Sequence, residues 1–251
     1  MTPLFKDHFS DRAANYAIYR PHYPAALADY LASLGPTRGT AWDVGCGSGQ
    51  MSPLLGDRFD RVIATDASPE QIIRAAPHPR VEYAVATAEN APLEDHSVDL
   101  IVVAQAAHWF DLPPFYKEAR RVAKPDAGIA LLAYGITVVE PPVLAVVDHF
   151  YSVVLAKWWP RERKHTENGY RDLEFPFDEV TPPPIDMAVD WTVDQFLGYV
   201  GTWSAVRAME KAVGLGNTES FRRAVTAAWG DIPRRRVWWS IGMRVGRVRS
   251  S

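Results

Sequence analysis

Along the first half of the chain, short apolar runs alternate with stretches whose apolar positions recur every three or four residues. That is the pattern of strand and helix taking turns. From Tyr23 onward Leu27, Tyr30, Leu31 and Leu34 share one helical face, and Gly35-Pro36 stops the helix. Residues 41–44 form an apolar run that enters the turn Gly45-Cys46-Gly47-Ser48-Gly49, and 62–65 predict a second strand ending at Asp66. Ser68-Pro69-Glu70-Gln71 predicts a helix start, with Ser68 as N-cap, Pro69 at the first helical position and Gln71 closing a capping box. Residues 81–85 predict a third strand and 98–104 a fourth, apolar on both faces beyond Asp99 as a buried parallel strand should be. Asp111 and the prolines after it open a helix striped by Phe115, Ala119, Val122 and Ala123, and 129–134 predict a fifth strand.

After about residue 135 the rhythm breaks. Residues 141–159 read as helix, and 160–185, rich in charge, aromatics and proline, read as loop. Residues 186–191 predict a strand, and Thr192 with Gln195 a second capping box opening a helix that carries Phe196, Tyr199 and Val200. A helix over about 218–229 and a final strand over 237–248 complete the pattern.

Composition narrows the function classes. The 251 residues carry 27 Lys plus Arg against 30 Asp plus Glu, a net charge of −3 that gives no electrostatic reason to expect nucleic acid. The basic run Arg234 to Arg236 reads as the solvated approach to the last strand. A single cysteine, Cys46, excludes an internal disulfide, and the seven scattered histidines show no zinc spacing, so a cytoplasmic, metal-free protein is expected. The first residues lack the apolar core of a secretory signal, and no apolar stretch is long enough to span a membrane. Seven of the nine tryptophans lie after residue 140, so the two halves differ in material.

The glycine turn carries the chemistry. Glycines there let a ligand lie against the main chain where no Cβ intrudes. A dinucleotide fingerprint needs a glycine at position 50, which is Gln50; the third glycine comes one residue early. Asp43 before the turn suits a ligand bearing an ammonium better than one bearing a pyrophosphate.

Asp43-Val44-Gly45-Cys46-Gly47-Ser48-Gly49 resembles the first motif of class I S-adenosylmethionine (SAM)-dependent methyltransferases, and later motifs follow in order: Asp66, Ala88-Glu89, Gln105, and the segment Arg121 to Ala127. The last departs from the family pattern by carrying Asp126 and Ala127 in place of two glycines. A narrower resemblance, to the small-molecule methyltransferases grouped with trans-aconitate methyltransferase of yeast type, rests on Phe9, Tyr16 to Arg20, Pro21-His22-Tyr23-Pro24, His108-Trp109-Phe110, Gly169-Tyr170, Phe175-Pro176-Phe177 and Thr202-Trp203-Ser204.

These resemblances imply an α/β Rossmann-like fold: a doubly wound, mostly parallel, seven-stranded sheet with an antiparallel last strand and a helical, aromatic cap inserted after the fifth strand. One domain over 1–251 is expected, with its core over about 36–135 and 186–251, an N-terminal helical segment over 1–35 and the cap over about 136–185. They imply SAM as cofactor. Asp43, Gly45 and Gly47 would face its aminocarboxypropyl end, Asp66 its ribose, Ala88 and Glu89 its adenine and Gln105 its methionine moiety, with Ala67 also among the cofactor-binding residues; Arg20 would meet its carboxylate or else make a surface or interdomain ion pair. His108 is the candidate catalytic side chain: a base for a hydroxyl or nitrogen acceptor, a positioning group for a carboxylate, or a structural histidine, and the three readings stay open. Trp109, Trp158, Trp159, Tyr170 and Trp203 are candidate walls for a small-molecule acceptor, with Arg161, Arg163, Lys164 and Arg171 available to an anionic one. Trp229, Trp238 and Trp239 read as core. No membrane or nucleic-acid partner is expected, and oligomeric state is not legible. The rival readings are an NAD(P)-dependent oxidoreductase on a similar sheet, a nucleic-acid or protein methyltransferase, and a SAM-binding protein without turnover.

Overall fold

A computed structural model describes residues 21–249. Helix α1 (Ala25–Ala32) turns Leu27, Ala28 and Leu31 inward. There follow β1 (Thr40–Val44), α2 (Ser52–Gly56), β2 (Arg61–Asp66), α3 (Pro69–Ile73), β3 (Val81–Val85), β4 (Val98–Ala104), α4 (Leu112–Val122) and β5 (Ala123–Tyr134). Strands β1 to β5 pair in parallel in the order β3-β2-β1-β4-β5. The order reverses between β1 and β4. In such sheets the crevice beyond the carboxyl ends of the two reversing strands is where ligands lie, and here it receives the glycine turn from β1 and Gln105 from β4.

Side chains alternate across the sheet and feed two apolar clusters. Ala41, Leu100, Val102, Ala130 and Leu132 enter one, and Trp42, Val44, Ile101, Val103, Ile129 and Leu131 the other. Every residue from Val98 to Val103 is buried, as a central strand covered on both faces requires. The stripe predicted on α4 is buried at Phe115, Ala119 and Val122.

Beyond β5 come β6 (Val138–Val139), α5 (Val143–His149) running into a π-helical turn (Phe150–Val154), a 3₁₀ turn (Ala156–Trp158), α6 (Arg163–Glu167), β7 (Asp178–Val180), β8 (Asp186–Trp191), α7 (Val193–Gly201), α8 (Ser204–Val213), α9 (Gly216–Trp229) and β9 (Arg235–Val248). Strand β9 runs antiparallel to β5 and uses both of its edges. Its C-terminal half pairs with β5 and β7, and its N-terminal half with β6 and β8. All seven expected strands form; the short β6 and β7 complete a sheet of nine.

The structure departs from expectation in three places in the tail half and at Ser68 in the first. The expected loop over 160–185 contains α6 and β7. Helix α8 was not expected at all; only the single turn Thr202-Trp203 separates it from α7, which ends at Gly201. The Thr192 box forms in full, but Ser68 makes only half of one: its hydroxyl accepts from the Gln71 N–H, while its own N–H donates to Asp66 Oδ1 at 2.9 Å. Nor is the basic run all solvated. Arg235 is buried in β9, donates to the Trp229 carbonyl at 3.1 Å and lies over the Trp229 ring. Asp126, inside β5, adopts the left-handed conformation (φ 60°) itself, so the chain bends there without the family's glycines.

Candidate cofactor and acceptor site

The glycines of the turn differ in what surrounds them. Gly45 (φ 65°) is pressed against the end of β4: a Cβ there would lie 2.6 Å from Ala106 Cβ and 3.1 Å from the Phe110 ring. Gly47 (φ 56°) faces open space, its nearest neighbour being Gln71 Oε1 at 4.0 Å. Asp66 Oδ2 accepts the Gly47 N–H at 2.8 Å and so ties β2 to the turn, while its other oxygen fixes Ser68.

Asp43 is fully buried at the end of β1. Its Oδ2 accepts from the Ser52 hydroxyl at 2.6 Å, and its Oδ1 has no partner. Burial first, opposed by the Ser52 hydrogen bond and reinforced by the nearby Asp66 charge, pushes its carboxyl up to about 7. A buried, half-satisfied carboxylate is costly unless something completes it. Ser52 went unnoticed in the sequence; its signal is a small hydroxyl at the start of the helix that follows the turn.

The other cofactor candidates converge on the same end of the sheet. Ala67 is half-buried beside Asp66, Ala88 is buried, and Glu89 Oε1 accepts the Asp111 N–H at 3.2 Å, tying the exit of β3 to the start of α4. Gln105 stands in the left-handed region (φ 60°), with its side-chain amide donating to the Tyr134 carbonyl at 3.0 Å and its N–H to Leu132. A glutamine held in that conformation signals a place where the surroundings impose the backbone. Arg20 lies outside the described residues.

His108 sits in a one-turn 3₁₀ helix (Ala107–Trp109) just past Gln105. Its Nδ1 is 2.9 Å from the hydroxyl of Tyr170, and its ring lies 4.8 Å from that of Trp109, which is itself exposed. Burial, with the positive charges of Arg163 and His165, lowers the His108 pKa to about 3. Tyr170 is fully buried behind the histidine. It sits after Gly169 in a pair of left-handed residues, and Gly169 packs backbone to backbone on Gly242 of β9. Arg244 of β9 holds the same loop, pairing with Glu179 and donating to the carbonyls of Tyr170 (3.2 Å) and Leu173 (3.0 Å).

Trp159 and Trp203 join Tyr151 in a cluster with centroids 4.6 to 5.8 Å apart. Trp203 is buried; Trp159 and Trp158 are half-buried, with Lys157 over the Trp158 ring. Arg163 lies over Trp159, donates to the Tyr151 hydroxyl at 3.0 Å and stands 3.6 Å from Glu167. Trp229 and Trp239 are buried in the core, and Trp238 is half-buried. A cavity of about 570 Å³ lined by His96, Arg120, Lys124 and Arg249 lies where β5 begins, at the opposite end of the sheet, and holds none of these residues.

Similarity to known proteins points to one family. A family model described as a methyltransferase domain matches residues 42–131, the span of the glycine turn, Asp66, Ala88-Glu89 and His108. A protein of Dictyostelium discoideum named as a methyltransferase is 34% identical over 212 residues, covering 83% of this chain and 81% of that one. The chain belongs to the methyltransferase family. A solved structure from Anaeromyxobacter dehalogenans, provisionally assigned as a type II methyltransferase, is 49% identical, with a TM-score of 0.88 over 93% of this chain and all of that one. A methyltransferase of Mycobacterium bovis matches only half of each chain, at 36% identity over 126 residues.

The protein is a SAM-dependent methyltransferase with the α/β Rossmann-like fold of that family. Its turn fits the cofactor: Asp43 Oδ1 is an orphaned buried acceptor, and Gly47 opens onto space that a side chain would occupy. When bound, SAM supplies an electrophilic methyl group on a sulfonium. Among the described residues, no helix is long and apolar enough to cross a membrane.

Proposed function

We propose that this methyltransferase acts on a small-molecule acceptor, a carboxylate, hydroxyl or ring nitrogen, held between the carboxyl end of β4 and the aromatic segment that follows β5. The observation that carries the reading is Asp43. Its unpartnered buried oxygen at the left-handed glycine turn calls for a cationic donor, and the ammonium of SAM provides one. In this reading Asp43 and the Gly45 and Gly47 backbone bind the aminocarboxypropyl group, Asp66 and Ala67 the ribose, Ala88 and Glu89 the adenine, Gln105 the methionine moiety, and Arg20 the carboxylate. Residues 136–185 act as the acceptor-determining insertion of a single domain in the cytoplasm, and Trp109, Trp158, Trp159 and Trp203 border the acceptor.

The protein's part in such a transfer is to orient two reactants and exclude water. The ring of His108 is neutral at physiological pH, and with its pKa near 3 it is a poor proton acceptor. That supports holding the acceptor over deprotonating it. The guanidinium of Arg163, paired with Glu167, is a cation near the ring that an anionic acceptor could meet.

Calorimetry of Asp66→Ala tests the cofactor reading: SAM affinity is expected to fall at least about tenfold, equivalent to about 1.4 kcal/mol. Unchanged affinity removes Asp66 from the cofactor site. The acceptor class is read by SAM turnover against panels of carboxylic acids, phenols and azoles. Turnover on a protein or nucleic-acid panel alone would replace the small-molecule reading.

A further inference from the structure

Tyr170 is read from sequence as a wall of the acceptor pocket, yet it is fully buried and its hydroxyl meets His108. The hydrogen-bond inventory around that hydroxyl is informative. Tyr170 is fully buried, and among the described residues the hydrogen-bond partner of its hydroxyl is Nδ1 of His108, 2.9 Å away. A phenolic oxygen carries one proton and two lone pairs. If Nδ1–H donated to the tyrosine, the buried phenolic proton would be left without an acceptor; with the hydroxyl donating to a bare Nδ1, that donor is satisfied.

We infer that Tyr170 is a positioning residue whose hydroxyl donates to Nδ1 of His108 and so fixes the ring's single proton on Nε2. Nε2 has no protein partner among the described residues. It is then a hydrogen-bond donor toward whatever binds beside it, and never the atom that takes a proton. Burial first, and then the Arg163 guanidinium of α6, favour the neutral form of the ring. The construction behind Tyr170 suits such a role. The Gly169–Gly242 contact and the Arg244 clamp hold the loop from the last strand, so the hydroxyl is set by the sheet.

The consequence for catalysis rests on the acceptor reading above. His108 serves an acceptor that presents a lone pair, and an acceptor that must lose a proton needs another base.

Long-range ¹H–¹⁵N correlation of ¹⁵N-histidine-labelled protein reads the tautomer directly, with the His108 signals assigned by their loss in His108→Asn. The expected wild-type pattern is a protonated Nε2 and a bare Nδ1, unchanged down to about pH 4; in Tyr170→Phe the ring shifts to a mixture of tautomers. A protonated Nδ1 in the wild type overturns the inference, as does a Tyr170→Phe ring that keeps its proton on Nε2 alone. If Tyr170→Phe does not fold, the wild-type spectrum still decides the proton's location. Calorimetry with SAM on the same sample separates this test from the cofactor reading: failure to bind SAM refutes that reading whatever the tautomer.

Discussion

Replacing Gly45 and Gly47 each by alanine should damage the protein in opposite currencies. Both sit at positive φ, where an L-residue costs about 1 to 2 kcal/mol. At Gly45 the new methyl also meets Ala106 Cβ at 2.6 Å and the Phe110 ring at 3.1 Å, contacts that force the end of β4 to move. Overpacking of that kind adds about 1 to 3 kcal/mol, so Gly45→Ala should lose about 2 to 5 kcal/mol of folding stability. At Gly47 nothing in the protein is nearer than 4.0 Å, so stability should fall by the conformational cost alone, about 1 to 2 kcal/mol. Yet the Gly47 methyl would occupy the face of the turn read as lying against SAM. Its affinity for SAM should fall by at least about tenfold, or about 1.4 kcal/mol. Urea denaturation gives the first quantity and calorimetry at saturating folded fraction gives the second. A Gly47→Ala protein that binds SAM as the wild type does would show that the turn's open face is not the cofactor's, whatever happens to stability.

Two further outcomes are expected. Asp43, raised to about 7 in the free protein, keeps its proton in the folded state while the unfolded chain releases it near pH 4; stability of the free protein should therefore fall as pH rises between those values. A bound ammonium favours the ionised form, so SAM affinity should rise through the same window. Asp43→Asn should flatten both trends, and a wild-type affinity independent of pH from about 5 to 8 would contradict the assignment. Arg244→Leu removes the pair with Glu179 and leaves the Tyr170 and Leu173 carbonyls without their donor. A loss of about 2 to 4 kcal/mol is expected, together with faster limited proteolysis between residues 160 and 185. Wild-type cleavage rates would mean the loop is held by other contacts.

The parallel half was legible because local rules and burial agree there. The run 98–104 is apolar because both faces are covered, and Gly45 and Gly47 are glycines because their φ values are positive. The half after residue 135 was harder to read because long-range pairing decides it. Residues 178–180 carry two charges in three positions and form a strand only because β9 offers a free edge. Arg235 is buried for a similarly distant reason, its guanidinium satisfied by the Trp229 carbonyl. In the site, the residue types were visible and their partners were not. Asp43 stood out, but Ser52 beside it did not; Tyr170 was noticed, but its contact with His108 spans 62 positions that no local pattern connects.

The apolar cluster on one face of the sheet sets a limit on how the enzyme can breathe. Phe196, Trp203, Met209, Phe221 and Trp229 of the post-β5 half share that cluster with Leu100, Val102 and Leu132 of the central strands. Swinging α7, α8 and α9 away as a lid would expose those five large side chains at about 1.5 to 3 kcal/mol each, or about 8 to 15 kcal/mol together. That equals the entire folding stability of an ordinary domain, about 5 to 15 kcal/mol. Wholesale opening is therefore indistinguishable from unfolding. Substrate and product must exchange without α7, α8 and α9 leaving the sheet, so turnover should not be gated by a hinged swing of those three helices.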